Sequence, residues 1–302
     1  MIVVLASIIL DHVAVVERLP RPGETVIGPS YQVFPGGKGA NQALAAARAG
    51  APVRVGGAVG TDAAADAALS LLREGGIDLT GVESVDLPTG AAFIGVDVSG
   101  QNQIIVTAGA NLKARAQSLA HHVWSKGDIL LLQSETPEAE RIAVASLAKA
   151  AGARVILNAA PAGPVSPDLI ALLDLLIVNE HEAVVFSVSL DWEERDPDLI
   201  AARVDRELGI ACVATLGEEG CIGWSGGVRR SVAAPSVRVV DTVAAGDAFV
   251  GAFAAALHQG LGFSGALRRG IAAGSLACTR AGAQPSLPDA RQIEQLAAEL
   301  AH

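Results

Sequence analysis

The chain is short of aromatic residues, positive charge and cysteine, and each shortage excludes something. Aromatics make up 3% of the 302 residues. Lys and Arg form no blocks interleaved with them, so the usual footprint of a nucleic-acid binder is missing and no nucleic-acid partner is expected. The formal net charge of -10 still leaves room for an anionic small molecule, because local backbone amides can hold phosphates. Cys212, Cys221 and Cys278 are odd in number, widely spaced and without a CxxC pair. That fits neither a disulfide framework nor a zinc site and predicts buried, reduced thiols. The longest apolar runs, 2–10 and 169–178, stop at Asp11 or are broken by Asp174, well short of the ~20 residues of a spanning helix. The first run starts directly after Met1, with no basic stretch before it and no small-residue cleavage site, so no membrane contact and a cytoplasmic location are expected.

Several catalytic signatures are missing too. No GxGxxG follows the first apolar run, which excludes the usual dinucleotide fingerprint. The segment around Lys38 resembles a P-loop only superficially: Gln32 stands where the upstream glycine should be, and Gly39 replaces the Ser/Thr after Lys. His181-Glu182 lacks the second His of a zincin, and no GxSxG elbow exists. His121 and His122 fall in a stretch that reads as a solvated surface helix.

What is present is apolar: 51% of the residues, mostly Ala, Val, Leu and Ile. A chain of this length and composition has a packed core and the size of one large α/β domain. Short β-rich runs at 2–10, 53–57, 129–132, 155–157, 175–178 and 212–215 alternate with Ala/Leu-rich stretches of helical length at 39–49, 63–74, 138–151 and 197–208. Continuous apolar strands between helices predict a mainly parallel sheet covered on both faces. Two segments, about 12–34 and 89–107, alternate apolar and polar residues instead and predict a small β lid on a single unit spanning 1–302.

Two constellations can carry chemistry. Asp241-Thr-Val-Ala-Ala-Gly-Asp247 follows an alternating, strand-like run at 237–240 and precedes Phe249, Phe253 and Leu257 at helical spacing, with Gly260 as a stop. Small residues Ala244, Ala245 and Gly246 let free amides at a helix start face an anion, with Asp247 beside it. Such a pair suits phosphoryl transfer, the carboxylate accepting a hydroxyl proton; an Asp that merely caps a helix is the plainer alternative. In Pro35-Gly-Gly-Lys-Gly-Ala-Asn41, adjacent glycines permit close backbone approach to a ligand, and Lys38 and Asn41 offer donors.

Taken together, these motifs resemble the PfkB carbohydrate kinase family, and within it the ribokinase branch, along essentially the whole chain. The matching segments occur in the family's order: 6–12, PGET at 22–25, GGKGANQA at 36–43, GAN at 109–111, QSETP at 133–137, NAAPA at 158–162, NEHEA at 179–183, TLGEEG at 215–220, DTVAAGD at 241–247 and GAQPS at 282–286. The resemblance implies a ribokinase-like three-layer α/β/α sandwich with a mainly parallel central sheet and a small β-sheet lid. It implies an ATP-dependent sugar kinase with Asp247 as general base and an anion hole from Ala244, Ala245 and Gly246. It places ATP at Asn179, Glu182, Thr215, Gly217, Gly220 and Gly246, with Mg²⁺ near the NxxE pair. A monovalent cation, K⁺, is placed at Asp241, Val243, Ala277, Arg280, Gly282 and Ser286. The sugar falls to Ile9, Asp11, Gly37, Lys38, Asn41, Glu135 and Asp247. Ile9 stands where the family usually has Asn, which weakens the match to ribose; fructose, another sugar or a nucleoside stacked on Tyr31, Phe34 or Phe93 are the alternatives. A non-catalytic sugar-binding protein is the alternative of a different class, disfavoured by the intact Gly246-Asp247 pair. Lid strands with alternating faces further predict a homodimer through the lid.

Overall fold

The computed structural model describes residues 1–300 and builds them into a nine-stranded sheet and a separate four-stranded one. In chain order the strands are β1 (Ile2–Leu5), β2 (Ile9–Val16), β3 (Ser30–Gly36), β4 (Val53–Val59), β5 (Asp78–Ser84), β6 (Gly90–Asp97), β7 (Asn102–Thr107), β8 (Ile129–Gln133), β9 (Arg154–Asn158), β10 (Leu175–Asn179), β11 (Ala211–Thr215), β12 (Cys221–Ser225) and β13 (Val228–Val232). The helices are α1 (Lys38–Arg48), α2 (Ala63–Glu74), α3 (Glu138–Ala150), α4 (Pro167–Ile170), α5 (Glu180–Ser189), α6 (Pro197–Arg203), α7 (Ala245–His258), α8 (Gly262–Ala277), α9 (Ala283–Ser286) and α10 (Ala290–Glu299).

The large sheet runs β13-β12-β11-β10-β9-β8-β1-β4-β5, parallel throughout from β11 to β5, with β12 and β13 antiparallel at one edge. Period-two alternation sends successive side chains to opposite faces and so creates two cores. Ile2, Val4, Ile129, Leu131, Ile156 and Ile177 pack with α1, α2, α7, α8 and α10 through Leu44, Leu72, Phe253, Leu267 and Ile293. Val3, Leu5, Leu130, Leu132, Leu157 and Val178 pack on the other face with α3, α5 and α6 through Val144, Phe186 and Ile200. The result is the expected ribokinase-like three-layer arrangement, with the small sheet attached at one side.

That small sheet has the order β3-β2-β6-β7, with β2 and β6 parallel and both outer pairs antiparallel. The run 2–10, expected as one strand, is two strands in different sheets. The chain leaves β1 at Leu5 and enters the small sheet at Ile9. The break is held by Asn111, whose Oδ1 accepts from Ile8 N at 2.8 Å and whose Nδ2 donates to Ile8 O at 2.9 Å. The strand expected at 237–240 does not form. Val239 and Val240 are exposed, and Val240 N donates to Cys278 O instead of to a neighbouring strand. His122 is not solvated on a helix: its side chain is buried against Asp128, with Nε2 3.1 Å from Oδ2. Cys212 and Cys221 are buried free thiols, while Cys278 is only half-buried. Among the described residues no helix is long and apolar enough to cross a membrane.

Candidate active site

The carboxyl ends of the parallel strands converge where loops deliver polar side chains, the position at which open α/β sheets bind ligands. Gln133, Asn158, Asn179 and Thr215 end β8, β9, β10 and β11 in turn. Opposite them α7 begins at Ala245, capped by Ala244 in a left-handed conformation with φ 60°. A Cβ is strained at this φ, so the turn is held by its surroundings rather than by local preference. Ala245 N donates to Thr242 O at 3.2 Å, whereas the amides of Ala244, Gly246 and Asp247 have no protein partner among the described residues. The available donors therefore include the Asp247 amide, and the amide of Ala245 is already engaged.

Asp247 is the third residue of α7 and is buried. Its Oδ2 accepts from Asn41 Nδ2 and its Oδ1 from Gln42 Nε2, each at 2.9 Å. Gln42 Nε2 also donates to Asn158 Oδ1, and its Oε1 accepts from Gln133 Nε2, both at 2.9 Å. This amide relay fixes the carboxylate from behind and leaves its remaining lone pairs for a ligand. Burial raises the Asp247 pKa, while the Lys38 charge and the two amide donors pull it back down. Gln42, Gln133 and Asn158 stand within the quoted motifs, but nothing in their spacing marked them as supports of Asp247.

Lys38 faces Asp247, Glu135 and Glu182. The Asp247 charge, more than the other two, raises its pKa against the opposing effect of burial. It forms no ion pair within 4 Å with any of the three among the described residues. It lines a cavity of about 220 Å³ together with Asn158, Asn179, Glu182, Thr215 and Asp247. Lys38, expected on the sugar side, thus also borders the side expected for the nucleotide. Asn179 and Glu182 form a reciprocal capping box on α5: Asn179 N donates to Glu182 Oε2 and Glu182 N to Asn179 Oδ1, each at 2.8 Å. Glu182 keeps Oε1 free in the cavity, and burial raises its pKa. Gly217 and Gly220 shape the turn beyond Thr215, outside this lining.

On the other side of Asp247, β2 presents Asp11. Its carboxyl has no hydrogen-bond partner among the described residues and lies directly over Gly36, where any Cβ would collide with it. Burial first, then the charges of Glu135 and Asp247, push its pKa up to about 6. Ile9 shares the Asp11 face of β2, is 4% exposed and belongs to neither core. Glu135 Oε2 accepts from Ser7 Oγ at 2.6 Å and from Lys38 N at 3.0 Å, and Ser7 Oγ accepts from Gly39 N at 3.0 Å. Gly37 has φ 91°, and a Cβ there would stand 2.7 Å from Ser7 O, so the turn closes only around glycine. Asn41 Oδ1 is buried and unpartnered. Ser7, sealed inside a run read as strand, was not signalled by the sequence. Of the aromatics weighed for base stacking, only Phe34 pairs with Asp11 and shares its face; Tyr31 and Phe93 pair with Ala14 and His12 on the other.

The loops carrying 241–243 and 278–282 meet through Asp241, whose Oδ1 accepts from Val243 N at 3.0 Å and Oδ2 from Gly282 N at 2.9 Å. The carbonyls of Val243 and Gly282 stay unpaired, whereas that of Ala277 accepts from Arg280 N; Ser286 Oγ is buried and donates to Ala283 O. A larger depression of about 590 Å³ opens at the opposite, amino-terminal edge of the sheet beside Asp174, Asp205 and Trp224. Its carboxylates are occupied: Asp205 accepts from the Gly226 and Gly227 amides, and Asp174 from Lys149 and Val155 N. The smaller cavity at Asp247 is therefore the chemically equipped one.

The pfkB family carbohydrate kinase pattern matches residues 1–290. A ribokinase of Haemophilus influenzae is 38% identical over 289 residues, covering 94% of each chain. The crystal structure of a ribokinase from Thermotoga maritima superposes with a TM-score of 0.90 at 36% identity, covering 98% of both chains. The Arabidopsis thaliana ribokinase complexed with ribose and ATP does so with a TM-score of 0.87 at 33% identity and the same coverage.

Proposed function

The chain belongs to the pfkB family of carbohydrate kinases, and from that premise we propose that it transfers the γ-phosphoryl group of ATP to the 5-hydroxyl of D-ribose. The enzyme is an ATP-dependent sugar kinase; the assignment to ribose leans on the ribokinases it resembles over nearly its whole length. One observation carries the mechanism: a buried Asp247 clamped by Asn41 and Gln42 beside unpaired amides at the start of α7.

In this reading Asp247 takes the proton from the attacking hydroxyl, while the Ala244, Gly246 and Asp247 amides and the Lys38 ammonium receive the charge of the transferring phosphoryl group. Lys38 suits that role because it lies between the carboxylates without pairing to any of them. Asp11 and Glu135 accept from sugar hydroxyls, and the orphaned Asn41 Oδ1 gains a donor. Asn179, Thr215 and the turn at Gly217 and Gly220 border the nucleotide. The free Oε1 of Glu182 fits Mg²⁺ and its bound water, an ion that neutralises phosphate charge when bound. The unpaired carbonyls of Val243 and Gly282, on loops tied together by Asp241, fit K⁺ as oxygen donors, with the Arg280 carbonyl and Ser286 as the further donors the family resemblance implies. The small sheet, 12–34 and 89–107 with the start of β2, acts as a lid, and two copies join through it. Dependence on ATP suits a cytoplasmic protein.

Ile9 favours a second acceptor. Where it faces the sugar it offers no hydrogen bond, and an unmatched buried hydroxyl costs roughly 1–3 kcal/mol. A sugar with one hydroxyl fewer on that side meets no such cost. An ATP-consumption assay over pentoses, deoxypentoses, hexoses and nucleosides, with and without K⁺, separates the two: ribose leads on the first reading and a deoxy sugar on the second. Asp247→Asn should lower kcat by at least about 100-fold. A near wild-type rate in that variant would remove Asp247 as the base, and no turnover with any acceptor would leave a binding protein.

A further inference from the structure

Gln42 and Asn158 stand behind Asp247 and are buried, Gln42 completely. The way each amide is turned follows from the atom it meets. Ile177 O, a backbone carbonyl of β10, can only accept, so Asn158 directs Nδ2 to it at 3.1 Å. Asn158 Oδ1 is then left facing Gln42, and an oxygen must be met by a donor: Gln42 presents Nε2 to it at 2.9 Å. The same Nε2 carries a second hydrogen, which reaches Asp247 Oδ1 at 2.9 Å. Gln42 Oε1 accepts from Gln133 Nε2 at 2.9 Å, and Gln133 Oε1 ends the chain, buried without a partner among the described residues.

The polarity of these bonds is therefore imposed by the sheet at Ile177 and not by Asp247. Turning Gln42 over would set its Oε1 against Asn158 Oδ1, two acceptors in contact, whether or not Asp247 carries a proton. Asn41 is different: its Nδ2 donates to Asp247 Oδ2, but its Oδ1 has no partner to fix its direction. A donor held in place before the reaction favours the carboxylate over the carboxylic acid. The charged groups facing Asp247 are Lys38 on α1, Glu135 after β8, Asp11 on β2 and Glu182 on α5, and none of them hydrogen-bonds to it among the described residues. Burial and the three carboxylates work against its charge, while Lys38 and the two amide donors work for it.

Resting on the assignment of Asp247 as the base, we propose that Gln42 and Asn158 are positioning residues that set its proton affinity: Asn158, anchored on Ile177 O, aims the Gln42 amide so that Asp247 stays ionised and ready for the hydroxyl proton. Gln42 is sealed and every polar atom of its side chain is engaged, so it acts only through Asp247. Asn158 also borders the cavity, which makes the Gln42 variant the cleaner of the two.

The test is the pH dependence of phosphoryl transfer in a single turnover, with ATP, Mg²⁺ and the sugar that wild type uses best all at saturation, so that neither sugar binding nor product release governs the rate. Gln42→Met keeps the length of the side chain and removes the donor; Asn158→Leu keeps the donor and removes its anchor. In Gln42→Met the acid limb should move up by about one to two pH units, the worth of a hydrogen bond to a charged group. In Asn158→Leu it should move in the same direction by less. Above the limb both variants should transfer far faster than Asp247→Asn. The two substitutions probe the relay at different points, and one that fails to fold leaves the other to decide. Limbs that stay at the wild-type position, with the rate unchanged or lowered equally at every pH, overturn the proposal, because a packing role alone gives that pattern. Asp247→Asn separates the two claims. A near wild-type rate there overturns the base and this inference with it, whereas a lost rate there beside unmoved limbs overturns the relay and leaves the base in place.

Discussion

At the scale of one residue, Asp11 is expected to set a pH limit, if it holds the sugar as proposed. Burial first, then the charges of Glu135 and Asp247, push its pKa up to about 6. Only the ionised form accepts from sugar hydroxyls on both oxygens, so KM for the sugar should rise as pH falls through about 6, with kcat less affected. Asp11→Asn should show a high KM that is flat across that range; a wild-type KM that does not change between about pH 5 and 7 would show that Asp11 does not hold the sugar. The stability sign follows from the same shift. A carboxyl whose folded pKa lies above its unfolded value of 3.8 favours the fold most below that value, and the benefit is lost as pH rises through about 6. At this scale the motifs singled out Asp11, Lys38, Asn41, Glu135 and Asp247 as candidates, because each sits in a short pattern of small residues around one ionisable or amide group. Ser7, Gln42, Gln133 and Asn158 were not. Their work is to hold another side chain across 91 to 205 residues of sequence, and local spacing carries no trace of such a pairing.

Between elements, the candidate active site is expected to depend on how closely α1 and α7 cross. Gly251 on α7 lies against α1 so tightly that a Cβ would stand 2.5 Å from Gln42 O and from Ala45 Cβ, and 2.8 Å from Ala46 N. Two of those contacts are backbone, which cannot swing aside. Gly251→Ala must therefore push the helices apart, and the displaced pair are the helix bearing Asn41 and Gln42 and the helix bearing Asp247. A fall in Tm of several degrees is expected, as for an overpacked core, together with a larger fractional loss in kcat than in sugar affinity. Unchanged kcat would mean that the amide clamp tolerates movement. The layers themselves were readable because each parallel strand is short, apolar and bounded by breakers. The division of 2–10 into β1 and β2 was not, since an unbroken apolar run hides a change of sheet that depends on the distant Asn111. The run at 237–240 misled in the opposite way: it alternates like a strand, but no neighbouring strand offers a ladder, and pairing rather than pattern makes a strand.

The whole molecule is unbalanced at one place. Both faces of the large sheet are buried under helices, whereas the small sheet leaves apolar side chains in water on both of its faces. Phe93, Ile105 and Tyr31 lie on the face turned from Asp11 and are 51%, 67% and 67% exposed; Ile104 and Val106, on the Asp11 face, are each 53% exposed. Patches of this kind on a sheet with free edges mark an interaction surface, and a sugar beside Asp11 can cover only the near part of one face. If, as proposed, a second copy meets the small sheet, it covers the rest, and sedimentation should give twice the chain mass of 30.6 kDa. Ile104 and Ile105 are adjacent in sequence and point to opposite faces, which turns them into a test of geometry. Ile104→Glu should dissociate the dimer if the Asp11 face is the one in contact, and Ile105→Glu if it is the other. Only in the first case does the partner lie alongside the proposed sugar site, so that dissociation should also raise KM for the sugar. A wild-type chain that sediments as a monomer, or a dimer indifferent to both charges, would remove the small sheet as the contact and leave its apolar faces to closure over the sugar alone.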